Sequence, residues 1–229
     1  MAAIARRAAQ SVAAHGPTQL CASALLCACM LLAPAAVPAQ DPGQSWKFLV
    51  YLDQDPIGYH NFTLTPQGEL RHLQSDAHYL VKILFINAFH YDHHASESWH
   101  GDCLDRLDSD SDDNGKQLSV HARSDGDDLS VDAPRGRYSL TGCAMTFAYW
   151  NPHMLEQTHL INPETGEDVA VTISPSGEED IQVRNASVHA RRYHLHSDKM
   201  EIDLWYSTSG DWLALESPEK GRRLRYVLN

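Results

Sequence analysis

The sequence is short of cations, of helical periodicity and of cysteine, and each shortage excludes something. Its 229 residues carry 18 Lys and Arg against 30 Asp and Glu. No basic patch stands out to neutralise phosphates, so nucleic acid is not an expected partner. No long stretch keeps an apolar period of 3.6 residues, which argues against a helical core. The sequence also holds no Gly-x-Ser-x-Gly nucleophile elbow. Three of the five cysteines, Cys21, Cys27 and Cys29, fall within the first thirty residues.

Those first residues read as a secretory leader. Arg6 and Arg7 give a positive start, and Leu20 to Val37 is almost wholly apolar. Val37-Pro38-Ala39 then places small residues at −3 and −1 of a cleavage site after Ala39. An uncleaved anchor and a lipidated cysteine are the other readings. Pro34 and Pro38 interrupt the apolar stretch, and Leu26-Cys27-Ala28-Cys29 is a poor lipidation motif. The leader contains no acid, so its removal leaves 16 basic and 30 acidic residues and a net charge of −14. The remaining single domain, 40–229, is long enough to bury a real core. Periplasmic or secreted localisation follows from the leader.

Only Cys103 and Cys143 remain in the exported part. They most simply form one disulfide. Asp102 and Asp105 flank Cys103 and would raise the pKa of a free thiol there, which argues against a reactive cysteine.

What is abundant is alternation. Trp46, Phe48, Val50 and Leu52 interleave with Lys47, Leu49 and Tyr51. Strands are expected again at 60–64, 71–81, 104–107, 118–122, 129–133, 137–140, 168–173, 181–184 and 187–194. A closing meander follows at 202–207, 212–216 and 222–228. Asn114-Gly115 between two such runs is a hairpin signal, because both residues accept positive φ. Asn151 before Pro152 marks the start of one short helix over 152–160. Ten to twelve short strands with frequent turns predict a mainly β fold: an antiparallel curved sheet or open β-barrel with one or two short helices.

Three stretches could carry chemistry. Asp110-x-Asp112-x-Asn114-Gly115 matches the first half of a calcium loop, but position 12 is His121 and no helices flank it, so a solvated hairpin tip is the better reading. In "HYDHHASESWH", His90, Asp92 and His94 share one face of a strand, while Tyr91 and His93 share the other. His90 and His94 are then about 13 Å apart at Cα. They are candidate metal ligands only if another strand supplies a partner, and a solvent-facing polar row is the plainer reading. The third stretch, Cys143 to Leu155, gathers Met145, Phe147, Tyr149, Trp150 and Met154. Met and aromatics together suit either core packing or an adaptable apolar binding surface.

The segments "LDQDPIGYHNFTL", "CLDRLDSDSDDNGK", "CAMTFAYWNPHMLEQTHLINPETGE" and "LWYSTSGDWLALESPEKGRRLRYVL" resemble a family of bacterial secreted proteins, the domain-of-unknown-function family numbered 6134. The resemblance spans nearly all of the mature chain. The opening Pro-Ile-Gly hairpin and the closing meander are also similar to periplasmic proteins with the open β-barrel of the lipoprotein carrier of the Lol pathway. That remote resemblance implies an apolar concave face able to hold acyl chains, and it carries no catalytic residues.

The expectation is therefore an exported protein that binds a lipid or other apolar ligand in the periplasm or cell envelope, with Phe147, Tyr149, Trp150, Met154 and Trp205 lining the pocket and no cofactor. A metal-dependent enzyme using His90, Asp92, His94 or Glu97 is one alternative. An envelope scaffold with a filled interior is the other. The sequence names no protein partner.

Overall fold

The computed structural model describes residues 43–83 and 86–229. The expected leader, its expected cleavage site and Cys21, Cys27 and Cys29 lie outside the described residues. Eight strands form a first meander: β1 (Gln44–Leu52), β2 (Asp55–Gln67), β3 (Leu70–Ile83), β4 (Ile86–His100), β5 (Cys103–Asp113), β6 (Lys116–Asp125), β7 (Asp128–Ala133) and β8 (Gly136–Thr141). Two three-residue strands, β9 (His159–Ile161) and β10 (Asp168–Ala170), pair with each other. A second meander follows as β11 (Thr172–Val183), β12 (Ala186–His196), β13 (Glu201–Ser207), β14 (Trp212–Glu219) and β15 (Arg222–Leu228).

Pairing of β15 with β1 fuses the two meanders into one antiparallel sheet of thirteen strands, in the order β11-β12-β13-β14-β15-β1-β2-β3-β4-β5-β6-β7-β8. The expected mainly β, curved-sheet fold is thus present. Bulges bend the long strands, at Val81/Lys82 between β3 and β4 and at Ser98/Trp99 between β4 and β5. The hairpins carry the expected chemistry: Asn114 and Gly115 both have positive φ, and Asp112 Oδ1 accepts from the Gly115 amide at 2.6 Å.

The chain leaves β8 at one edge of the sheet and re-enters as β11 at the other. Between them, residues 142–171 pack against the core-facing sides of both meanders. Met145, Phe147, Ala148, Trp150, Met154, Leu160 and Ile161 are all buried in the same cluster as Phe48 and Phe62 of the first meander and Leu204 and Trp212 of the second. An open curved sheet cannot cover its own inner face, and this segment supplies the missing apolar surface. It is fastened along its length. Cys103 and Cys143 lie at disulfide distance, with Cα atoms 4.8 Å apart. Tyr206 Oη donates to the Tyr149 carbonyl at 2.7 Å, and Tyr138 Oη to the Gly166 carbonyl at 2.7 Å. Gly166 has φ +66°, and a Cβ there would meet Ala133 Cβ at 2.5 Å, so only glycine fits.

Three expectations are corrected. The helix over 152–160 is a single 3₁₀ turn, Pro152–Glu156, with Asn151 capping it by accepting from the His153 amide. It stops early because the chain must extend again by His159 to pair as β9. The strand over 168–173 is two strands broken at Val171, which is buried and whose amide donates to the Thr158 carbonyl. The strand at 181–184 is only the end of the twelve-residue β11, whose mostly exposed edge position erased the alternating pattern.

Candidate functional site

The segment does not fill the sheet completely. Where its Phe147, Tyr149 and Trp150 face β2, β3 and β4, a cavity of about 160 Å³ remains. One wall is apolar: Phe62, Leu73 and Ala95 from the strands, with Phe147 and Tyr149 from the segment. Met200 and Tyr226 close another side. The volume is close to that of an apolar cavity that takes a single benzene ring, and below the 300–1,000 Å³ usual for drug-sized ligands.

The rest of the lining is polar, and strand parity puts it there. His60 and Phe62 on β2, and Tyr91, His93, Ala95 and Glu97 on β4, are two residues apart and point to the same inner face. His60 Nε2 lies 2.7 Å from Ser75 Oγ, and its Nδ1 lies 3.2 Å from Tyr226 Oη and 3.3 Å from Tyr79 Oη. The two phenols are 2.5 Å apart. His93 Nδ1 lies 2.8 Å from Ser111 Oγ. Tyr91 Oη donates to Glu164 Oε2 at 3.2 Å.

Burial sets the protonation states. It holds His60 well below the ordinary histidine range, with His93 adding to the effect. His93 falls to about 4, again chiefly through burial. Both imidazoles are therefore neutral at pH 7. Glu97 is 3% exposed. Burial raises its carboxyl to about 7, even though hydrogen bonds from Trp99 and Thr146 favour the charged form. Among the described residues it has no ion-pair partner. Burial also raises Glu164 and pushes Tyr149 far above its usual range. The last polar feature is Trp150, 5% exposed, whose Nε1–H finds no protein acceptor.

Of the five residues expected to line a ligand pocket, Phe147, Tyr149 and Trp150 border this cavity. Met154 and Trp205 do not. Met154 sits fully buried in packed core. Trp205 donates to Glu179 Oε1 at 3.0 Å, under the Arg192 guanidinium, on another part of the sheet. His90, Asp92 and His94 are on the side of β4 opposite the cavity. Each faces a side chain of opposite charge type on a neighbouring strand: His90 with Asp112 at 3.2 Å, Asp92 with His78 at 2.5 Å, His94 with Asp76 at 2.8 Å. Among the described residues no group of three or more His, Cys, Asp or Glu has metal-holding geometry. The half calcium loop is the tip of the β5–β6 hairpin. Ser217-Pro218-Glu219-Lys220 has the spacing of a Ser-x-x-Lys pair, but it runs out along β14 into a turn, and Ser217 donates to the Glu201 carbonyl.

Sequence reasoning missed His60, Ser75, His93 and Tyr226 as site residues, and placed Glu97 in a metal-site alternative. The available signal was parity: Tyr91, His93, Ala95, Glu97 and Trp99 alternate with the outward row. The sequence gives no sign that this is the face turned to the core.

No curated protein matches the chain. Among solved structures it is similar to a crystal structure from Brucella abortus, described as a beta-barrel-like protein of domain of unknown function DUF1849. The TM-score is 0.60 at 12% identity, covering 82% of this chain and 94% of that one. At that identity the likeness concerns the fold alone. The family model for the domain of unknown function DUF6134 matches residues 48–229. That span takes in the whole of the strand system from the middle of β1 to the end of β15, and the chain belongs to the DUF6134 family.

Proposed function

We propose that this is an exported binding protein that takes the apolar part of a small ligand into the cavity between β2–β4 and the 142–171 segment. One observation carries the reading: Phe62, Phe147 and Tyr149 converge on a space of about 160 Å³ that the otherwise dense core leaves unfilled. Its volume suits one ring or a few methylene groups, so a lipid would be held by a chain end and not along its length. The leader supports delivery to the periplasm or cell envelope.

A second reading, an envelope scaffold without a small ligand, is favoured by a different observation. The 142–171 segment occupies most of the face that an acyl-chain carrier would keep open. The two readings part on one measurement. Protein purified without detergent is examined by native mass spectrometry, extracted into organic solvent, and then titrated with a fluorescent fatty acid and with benzyl alcohol. The binding reading expects a co-purifying apolar compound, or saturable uptake of a probe that broadening the side chain at Ala95 abolishes. An empty protein that takes up neither probe would establish the scaffold.

A further inference from the structure

The cavity has an electrostatic character that the apolar reading leaves unused. Its lining includes two carboxyl side chains, Glu97 and Glu164, and no lysine or arginine. Of the two histidines beside them, His93 is buried and His60 half-buried, and desolvation disfavours the charged form of both. Glu97 accepts from Trp99 Nε1 at 2.8 Å and makes no ion pair among the described residues. A buried carboxyl without a cation is costly to keep charged. The wall around it is unusually aromatic, with Phe62, Tyr91, Phe147, Tyr149 and Tyr226. Aromatic faces together with a carboxylate are the surroundings in which an alkylammonium is stabilised, while an anion would meet two carboxyl groups and no cation in the lining. Trp150 adds a second, independent pointer to an occupant: a buried N–H on the same wall with no protein acceptor, which an ammonium group itself does not satisfy and an oxygen elsewhere on the ligand would.

We propose that the cavity is a site for a small organic cation, an alkyl- or arylalkyl-ammonium whose apolar part packs on Phe62, Phe147 and Tyr149 and whose nitrogen pairs with Glu97. The inference rests on the reading of this cavity as a ligand site, and it narrows the ligand class. It excludes the carboxylate of a fatty acid from the neighbourhood of Glu97. Binding also couples to a proton. The ligand takes the place of the proton on Glu97, whose carboxyl otherwise titrates near pH 7. The other groups facing it, Trp99, Thr146, His60, His93, Tyr91 and Glu164, supply no positive charge at that pH; the Arg71 guanidinium lies over the Trp150 ring, 4.7 Å from its centroid, and is paired with Asp102.

The test uses three probes of similar shape, benzylammonium, benzyl alcohol and benzoate, titrated calorimetrically into the mature protein at pH 8 and pH 5. At pH 8 benzylammonium is expected to bind roughly tenfold or more tighter than benzyl alcohol, and benzoate not at all. At pH 5 that preference disappears. Glu97→Gln keeps an acceptor for Trp99, retains benzyl alcohol binding and loses the preference for the cation. Equal affinities for cation and alcohol at pH 8 would overturn the proposal, as would a preference that survives in folded Glu97→Gln. Should that variant fail to fold, a wild-type preference that is the same at pH 5 and pH 8 overturns it. Benzyl alcohol binding without cation preference leaves the apolar reading standing and removes only this one. If no probe binds, both fall. Vesicles of phosphatidylethanolamine and phosphatidylglycerol added as competitor separate two sources of the ammonium. Displacement of benzylammonium assigns it to a lipid headgroup, and its retention assigns it to a free amine.

Discussion

Glu97 and Trp99 stand two residues apart on β4, both pointing inward, and the Trp99 indole donates its Nε1–H to Glu97 Oε2 at 2.8 Å. Neither is exposed to bulk solvent: Trp99 is 0% and Glu97 3% accessible. One hydrogen bond from a neutral indole, with a second from Thr146, does not compensate for removing a carboxylate from water, so the acid is held partly protonated at neutral pH.

The pH dependence of stability follows, and its sign can be worked out for each group. Glu97 binds a proton more tightly folded than unfolded. Its contribution is full below about pH 4.5 and is lost as pH rises to about 7. His93 binds its proton less tightly when folded. Its contribution is full above about pH 6.5 and is lost as pH falls to about 4. Each spans roughly 3 kcal/mol at most. The two windows overlap with opposite slopes, so wild-type stability between pH 5 and 7 is expected to be nearly flat from this pair, tilted toward acid lability by His60. Glu97→Gln should remove the compensation and steepen the loss of stability on acidification. His93→Gln should leave Glu97 opposed by His60 alone and flatten the loss of stability on acidification. Urea melts at half-unit pH steps check this; identical profiles for wild type and both variants would show that these groups are not buried.

The Cys103–Cys143 link fastens the 142–171 segment to the start of β5 across a sequence separation of 40. Chain-entropy arithmetic for a loop of this length gives about 4 kcal/mol as the stabilisation at 25 °C. Reduction, or Cys103→Ser with Cys143→Ser, is expected to lower stability by up to that amount. Denaturant melts with and without reductant measure it. A change below about 1 kcal/mol would mean that the segment is held by its packing and hydrogen bonds alone.

Gly166 and Gly126 form a matched pair. Both have positive φ, +66° and +64°. An alanine Cβ at 166 would strike Ala133 Cβ at 2.5 Å and Val120 Cγ1 at 3.0 Å, whereas at 126 it meets nothing within 4 Å. Gly126→Ala should cost about 1 kcal/mol, the backbone strain alone. Gly166→Ala should cost a further 1–3 kcal/mol of overpacking and displace the segment from β6 and β7. Thermal melts of the two variants compare them directly.

The outward histidines give a prediction of opposite kind. His94 pairs with Asp76, and His78 with Asp92, on a solvated face. Exposed pairs of this sort contribute little. His94→Ala and His90→Ala should leave the melting midpoint unchanged, with or without a chelator, and zinc should not bind stoichiometrically. A zinc-dependent rise in the midpoint that His94→Ala removes would restore a metal role to this row.

Much of this architecture is legible in the sequence because it is local. Strand alternation places Phe48 and Val50 opposite Lys47 and Leu49, and Asn114-Gly115 turns the chain by its own backbone preferences. The separation of Tyr91 and His93 from His90, Asp92 and His94 follows from the same period of two. The failures are where burial comes from distant chain. Thr172–Val183 shows no alternation because an edge strand is exposed on most of its length, and 152–160 lost its helix to the pairing of His159–Ile161 with Asp168–Ala170.

The sequence by itself determined the class: an acidic, strand-dominated chain with a cysteine pair at 103 and 143, an aromatic segment after the second cysteine, and a closing meander. Periodicity and composition are properties of neighbours along the chain, and these features need nothing more. Only the tertiary structure decided which face of β4 is the inside, and therefore that His93 and Glu97, not His90 and His94, are the histidine and acid with unusual chemistry. It also decided that Phe147, Tyr149 and Trp150 border a cavity while Met154 is buried beside them. The physical reason is that both outcomes depend on residues 142–171 folding back between the edges of a sheet whose ends are β8 and β11. Desolvation of a side chain is set by what lies across the core, more than fifty residues away for Glu164 and His93's neighbour Tyr91, and no local pattern encodes it.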